Sequence, residues 1–159
     1  MIVVSDTSPL CYLVVLGESE LLATLFQRVA APRMVIDELL AEATPEVARK
    51  WAAHPPAWLE IHSETPAFAG NLSPLDAGEC AAIQLAERLR ADVLLIDEGD
   101  GRKIAQNRGL AVTGLLGVLA RAARERLIAF DPVIERLRAT NFRMSDQLIE
   151  QARAISQQR

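Results

Sequence analysis

Short apolar runs alternate with helical segments along the chain, and this alternation constrains the fold more than any other feature. Five runs have the composition of buried strands: residues 2–6 (IVVSD), 28–32 (RVAAP), 58–62 (WLEIH), 92–97 (DVLLID) and 110–114 (LAVTG). Strands that alternate with helices form mostly parallel sheets, because each helix carries the chain back to the start of the next strand. We therefore predict an α/β fold in three layers, with a mostly parallel central sheet covered by helices on both faces.

The segments between these runs have helical patterns. Helices are predicted over residues 9–16, 18–26, 33–43, 45–53, 73–90, about ten residues after 97, 115–126, after 132 and from 145. Ser8 directly before Pro9 predicts the N-cap of the first helix, and Ser73 or Asp76 is expected to cap the helix at 73–90. A length of 159 residues predicts one domain, residues 1–159, with C-terminal helices from about residue 131.

Composition narrows the classes of protein. No apolar run approaches 18 residues and the N-terminus lacks a signal-peptide pattern, so we expect a soluble cytoplasmic protein without a membrane association. Two cysteines and two histidines occur at spacings that fit neither a zinc site nor a disulfide framework. Residues 1–101 carry 6 basic and 16 acidic side chains, whereas residues 102–159 carry 11 basic and 5 acidic. This asymmetry fits either a polyanionic substrate or ordinary arginine-rich helix surfaces.

Acidic residues stand where a parallel α/β fold places its functional sites. Asp6 and Asp97 each follow an apolar strand, and such sheets bind ligands at the carboxyl ends of strands near the point where strand order reverses. Glu38 borders the apolar face of its predicted helix, and Glu79 lies on the buried stripe of its own. Asp100 follows Asp97 by three residues. Taken singly, each has another explanation, as a helix cap, a solvated residue or a partner of the helix dipole.

Taken together, these carboxylates predict a metal site. Several carboxylates in one crevice repel one another, and burial disfavours their charged forms, so a divalent cation resolves the conflict. Oxygen ligands without histidine or thiolate favour Mg²⁺ or Mn²⁺. Such an ion polarises a phosphodiester and activates water. The chain contains no P-loop, GxGxxG, HExxH or EF-hand pattern, so nucleotide triphosphate, dinucleotide and calcium sites lack their usual support.

The ordered motifs "VVSDTSPL", "LDAGECAAIQLA" and "LLIDEGD", with a Glu in the helix after the second strand, resemble the PIN-domain nucleases. The parts "SDTSPL", "LDAGE" and "LLIDE" of these motifs look most like the branch related to VapC toxins, whose C-terminal region often contains a stretch like "NFRMSDQLIEQA" here. The resemblance covers nearly the whole chain. It implies a PIN-like fold, Mg²⁺- or Mn²⁺-dependent cleavage of RNA, a homodimer, and inhibition by a small cognate antitoxin protein.

The resemblance also assigns site residues. Asp6, Glu38, Glu79 and Asp97 match the acidic catalytic and metal-binding positions, and Ser8 matches the hydroxyl residue that supports the first aspartate. Either Glu79 or Asp97 is expected to orient or deprotonate the attacking water.

Asp100 is a further candidate ligand, because relatives place the last acidic residue at variable offsets in this loop. Gly99 and Gly101 flank it where many relatives have larger side chains. It is therefore open whether Asp97 alone, or both aspartates, reach the metal.

Four cations are candidates to hold the RNA backbone: Arg102, Lys103, Arg121 and Arg124. A solvated helix face explains them equally well. An aspartate-nucleophile phosphatase is disfavoured because Thr7, Ser8 and Pro9 break its DxDxT pattern, and a receiver domain lacks its late strand-end lysine. The main rival is a non-catalytic PIN-like module that binds nucleic acid or a partner protein.

Overall fold

A computed structural model describes residues 1–63, 75–97 and 99–158. In these ranges the chain forms five strands: β1 Ile2–Ser5, β2 Arg28–Pro32, β3 Leu59–His62, β4 Val93–Leu95 and β5 Val112–Thr113. The same ranges contain nine helices: α1 Thr7–Val15, α2 Glu20–Leu25, α3 Arg33–Leu39, α4 Glu46–Ala53, α5 Ala77–Leu89, α6 Gly99–Asn107, α7 Leu115–Arg124, α8 Phe130–Arg138 and α9 Asp146–Ser156. Each of the five predicted apolar runs contains one strand, so the predicted order of elements is confirmed.

The five strands form one parallel sheet in the order β3-β2-β1-β4-β5. The central strand β1 is followed by β2 and β3 on one side, and the chain then crosses to place β4 and β5 on the other. Strand order therefore reverses between β1 and β4, which is where open parallel sheets form their binding crevice.

Both faces of the sheet are buried. Val3 and Leu95 belong to a core shared with α1 and α7, whereas Val4 and Leu94 belong to a second core under α5. All four side chains are fully buried. Successive side chains of a strand point to opposite faces, so a strand covered on both faces has a continuous apolar run. The predicted three-layer α/β/α arrangement is confirmed.

The C-terminal helices pack on the first of these cores. Leu137 of α8 and Ile149 of α9 join the cluster that contains Val3. The side chain of Ser145 accepts a hydrogen bond of 3.1 Å from the backbone N–H of Leu148, which satisfies one N-terminal donor of α9. The predicted start of this last helix is thus confirmed.

The start of α1 differs from the prediction. The helix begins at Thr7, and Asp6 occupies the N-cap position with extended backbone angles, φ −77° and ψ 175°. The prediction that Ser8 caps the helix is wrong, because Ser8 already lies in the first turn. Pro9 is tolerated one residue further on, since the first N–H groups of a helix have no intrahelical acceptor.

The start of α5 follows the sequence prediction. Asp76 and Glu79 form a capping box, in which Asp76 Oδ1 accepts from the Glu79 N–H at 2.8 Å and Glu79 Oε1 accepts from the Asp76 N–H at 3.1 Å. The alternative cap, Ser73, lies outside the described residues. Within the part of the chain that the structure describes, no helix is long and apolar enough to cross a membrane.

Candidate active site

Asp6 and Asp97 lie at neighbouring strand ends. Ser5 pairs with Leu95 in the β1–β4 ladder, and the Asp6 N–H donates a hydrogen bond of 2.9 Å to the Leu95 carbonyl. Asp97 follows two residues after Leu95, at the same carboxyl edge of the sheet. The two strand-end aspartates therefore flank the point where strand order reverses, as the sequence predicted.

Asp6 is a buried carboxylate in an unfavourable environment. Its side chain is 3% exposed, and no donor among the described residues bonds its Oδ1. Burial raises its pKa from 3.8 to about 7; the Thr7 N–H acts in the opposite direction, and the charges of Glu79, Asp76 and Glu38 raise it further. A buried, partnerless carboxylate oxygen next to other acids is stabilised by either a proton or a cation.

Glu79 extends from α5 toward the same region. It is 8% exposed, and its Oε1 is held by the Asp76 N–H of the capping box. Its Oε2 faces α6, because a Cβ atom at Gly101 would come within 2.8 Å of that oxygen and within 2.6 Å of Ile96 Cδ1. Gly101 therefore allows α6 to approach the carboxylate. This contact explains one of the two glycines that flank Asp100; Gly99 has open space around it.

Glu38 completes the acidic group around Asp6. It is half-buried on α3, and its Oε2 accepts a hydrogen bond from the Thr7 hydroxyl. A Cβ atom at Gly78 would collide with the Glu38 carboxylate, so this glycine permits the carboxylate to lie against the first turn of α5. Sequence reasoning did not identify Thr7 or Gly78. The only sequence signal for these two residues is their position, because Thr7 directly follows Asp6 and Gly78 directly precedes Glu79.

Asp97 has a structural role in addition to its place at the strand end. Its Oδ1 accepts a hydrogen bond of 2.9 Å from the Leu115 N–H, at the N-terminus of α7. Ser8 Oγ lies 3.4 Å from Asp97 Oδ2, so the hydroxyl that the resemblance assigned to Asp6 contacts Asp97 instead. Gly114 allows this arrangement, because a Cβ there would collide with Asp97 Oδ1. The carboxylate thus interacts favourably with the dipole of α7 at its N-terminus.

The remaining candidates lie in different places. Asp100 is exposed in the first turn of α6, and Lys103 is exposed on the same helix. Arg102 is half-buried, and its Nη1 donates to the Ile96 carbonyl at 3.3 Å, beside Asp97.

Arg121 does not lie at this edge of the sheet. Its guanidinium donates to the Leu25 carbonyl at 3.1 Å and stacks 4.9 Å over the Phe26 ring. Both residues immediately precede β2, so they lie at the amino edge of a parallel sheet, opposite to Asp6. Arg124 is exposed three residues further along α7. The structure therefore brings Arg102, but not Arg121, to the carboxyl ends of β1 and β4, where the acidic side chains lie. This space is called the acidic crevice.

The donor chemistry of the crevice fits a hard divalent ion. Its side chains offer carboxylate oxygens, and Asp6 Oδ1 is buried without a hydrogen-bond partner in the part of the chain that the structure describes. In residues 1–63, 75–97 and 99–158, no three His, Cys, Asp or Glu side chains are close enough together to hold one metal ion. The acidic residues are thus electrostatic neighbours of Asp6 without forming a closed ligand cage.

A parallel sheet with a buried carboxylate at its switch point defines the class of protein, an α/β domain with an acidic candidate active site. A family model described as DUF3368, a PIN domain, matches residues 2–158, and the chain belongs to this PIN-domain family. PIN domains are generally nucleases, which are hydrolases, and they typically use divalent metals.

Solved structures show the same fold. The chain is similar to a PilT N-terminus domain protein, SSO1118, from the hyperthermophilic archaeon Sulfolobus solfataricus P2, with a TM-score of 0.53 and 16% sequence identity. The match covers 77% of this chain and 93% of that one. No curated protein matches the chain.

Proposed function

We propose that this protein is a Mg²⁺- or Mn²⁺-dependent endoribonuclease that hydrolyses phosphodiester bonds at the crevice between β1 and β4. The observation that carries the proposal is Asp6, a buried carboxylate whose Oδ1 has no hydrogen-bond partner among the described residues and whose pKa is raised by the charges of three other acids. A site built in this way favours bound positive charge. Because the chain belongs to a family of domains that are generally nucleases, we assign the bound cation a role in phosphodiester cleavage.

A small number of protein ligands suits the proposed ions. Mg²⁺ commonly keeps several waters and binds through one or two carboxylates together with substrate phosphate oxygens. Asp6 and Glu79 are the first candidates because both are buried, with Glu38, Asp97 and Asp100 as further ligands. When bound, the ion would polarise the phosphate and lower the pKa of a coordinated water.

The residues of the chain have separate tasks in this mechanism. The Thr7 hydroxyl orients Glu38, and the Asp76 N–H orients Glu79, so both carboxylates are held before substrate arrives. Glu79 or Asp97 accepts a proton from the attacking water, which approaches phosphorus in line with the leaving oxygen. Arg102 pairs with a phosphate of the RNA strand, which makes binding dependent on salt.

The test is RNA cleavage with Mg²⁺ or Mn²⁺ by the wild-type chain, Asp6→Asn and Asp97→Asn. Asp92→Asn is the matched control, because Asp92 is an exposed aspartate at the opposite end of β4. We expect both site variants to lose cleavage and the control to retain it. Full activity in either site variant would contradict the four-carboxylate mechanism.

We further propose that the nuclease is a VapC-like toxin of a type II toxin–antitoxin pair, acting as a homodimer in the cytoplasm. The order of the motifs along the chain supports this assignment. Expression of the chain should arrest growth, and co-expression of a small protein encoded beside it should restore growth. Growth arrest that persists in Asp6→Asn would show that the toxicity does not depend on nuclease activity.

One observation favours a second candidate, a non-catalytic PIN-like module that binds nucleic acid or a partner protein. Asp97 Oδ1 is engaged by the N-terminus of α7, so this carboxylate already has a structural task. Binding of diverse RNAs that depends on Mn²⁺ but proceeds without cleavage would support the module and exclude the nuclease.

A further inference from the structure

A cleft of about 700 Å³ opens beside Asp97 and Thr113, at the carboxyl ends of β4 and β5. Its walls are the N-terminal part of α7, the segment 141–143 and one face of α9. The volume is within the range of about 300–1,000 Å³ typical of small-molecule sites. Asp97 and Arg102 both line this cleft, so it begins at the end of β4, next to the end of β1 that carries Asp6.

One part of the cleft is apolar and aromatic. Phe142 packs edge-on against Tyr12, with ring centroids 4.9 Å apart. Leu148 and Ile155 of α9 also line the cleft and are 50% and 38% exposed, so they add apolar surface to this part of its wall. Aromatic side chains such as Phe142 are suited to stacking against nucleic-acid bases.

The other part of the cleft is polar and positively charged. Arg102 and Arg143 line it, while Asp97 is its acidic member and accepts from the N-terminus of α7. The Tyr12 hydroxyl donates a hydrogen bond of 2.8 Å to Asn141 Oδ1, which uses only the acceptor side of that amide. Gln151 adds a second amide. Amide side chains carry donors and acceptors and therefore can read the edge of a base.

We propose that this cleft is a nucleotide subsite, which holds the RNA nucleotide adjacent to the bond that is cut and gives the nuclease a base preference. The base packs on Phe142 and the apolar residues of α9, and the amides of Asn141 and Gln151 contact its edge. Arg102, at the boundary of the cleft and the crevice, holds the phosphate that leads to Asp97. This inference rests on the proposed function for its role, but the binding of a nucleotide can be measured without cleavage.

A nucleotide fits these walls better than a peptide does. Two arginines and one carboxylate line the cleft, so its positive charges outnumber its negative charge. The α7 N-terminus also compensates the charge of that carboxylate, and the cleft therefore favours an anion. An anionic group joined to a flat aromatic ring is the chemistry of a nucleotide.

Binding is tested first, without metal, by titrating the labelled chain with each of the four nucleoside 5′-monophosphates and recording amide NMR spectra. We expect shifts confined to residues that line the cleft, with one base binding more tightly than the others. Shifts elsewhere, or none at millimolar nucleotide, would overturn the proposal, and a cleft that serves a protein partner would give that result.

Cleavage of a random-sequence RNA tests the role of the subsite. Gln151→Ala should change the base found next to the cut, and Phe142→Leu should raise KM by about ten-fold, because loss of a base–aromatic stack weakens binding on that scale, while kcat stays within about two-fold. Gln147→Ala is the matched control, an exposed glutamine of α9 outside the cleft.

The two proposals fail in different ways. Unchanged base preference and KM in both cleft variants, with active wild-type enzyme, would overturn the subsite and leave the nuclease standing. Nucleotide binding in the cleft of a chain that cuts no RNA would sustain the cleft as a nucleotide-binding site and overturn the nuclease.

Discussion

Replacement of Asp6 by Asn should stabilise the metal-free protein at alkaline pH. The folded pKa of Asp6 is raised from 3.8 to about 7, principally by burial. Between these values the folded state holds a proton that the unfolded state has released, so stability falls as pH rises from about 4 to about 7 and is flat above. At about 1.4 kcal/mol for each pH unit, the full shift from 3.8 to about 7 costs between about 4 and 5 kcal/mol. That is a large fraction of the 5–15 kcal/mol typical of a domain.

The assay is urea unfolding in EDTA at pH 5 and pH 8, for the wild type, Asp6→Asn and the exposed control Asp92→Asn. The free energy of unfolding of Asp6→Asn should gain on the wild type by about 2–3 kcal/mol between the two pH values, because only the two pH units from pH 5 to about pH 7 contribute. The control should follow the wild type. Mn²⁺ at pH 8 should stabilise the wild type and not Asp6→Asn. If Asp6→Asn shows the same pH dependence as the wild type, the buried carboxylate is not the source of the effect.

Further predictions concern the residues that position the site. Gly101→Ala should lose about 1–3 kcal/mol of stability, because its Cβ would meet Glu79 and Ile96. Gly99→Ala, in open space on the same helix, should be neutral or stabilising, and equal effects in urea unfolding would contradict the close approach. Arg102→Ala should weaken RNA binding and reduce the salt slope by about one. Arg121→Ala should instead lower the unfolding temperature and leave that slope unchanged; a reduced slope would place RNA at the amino edge of the sheet.

The positions of the strands could be predicted because, in this fold, burial of a strand on both faces produces a continuous run of apolar residues in the sequence. Val3 and Val4 are consecutive apolar residues, yet they belong to different cores on opposite faces of the sheet. A strand covered on both faces needs such a run. The strand-end position of Asp6 and Asp97 followed from the same runs.

Other features depend on contacts between distant parts of the chain. Asp97 accepts a hydrogen bond from Leu115, 18 residues later, so local sequence gave no indication that it would stabilise α7. Tyr12 of α1 and Asn141, between α8 and α9, are 129 residues apart and meet only in the folded chain. The Ser8 prediction failed for a local reason. A Ser-Pro pair is a common helix start, but the extended backbone that a cap requires lies at Asp6.

The most direct test of the proposed mechanism is the cleavage of a defined single-stranded RNA in Mn²⁺ and in EDTA, with the product ends identified. The mechanism predicts cleavage by the wild type only with Mn²⁺, and products without a 2′,3′-cyclic phosphate, because water is the nucleophile. Asp6→Asn should be slower by more than about 100-fold, beyond the loss typical of removing a supporting group. Cleavage in EDTA, cyclic phosphate ends, or an active Asp6→Asn would each contradict the proposed metal-assisted hydrolysis.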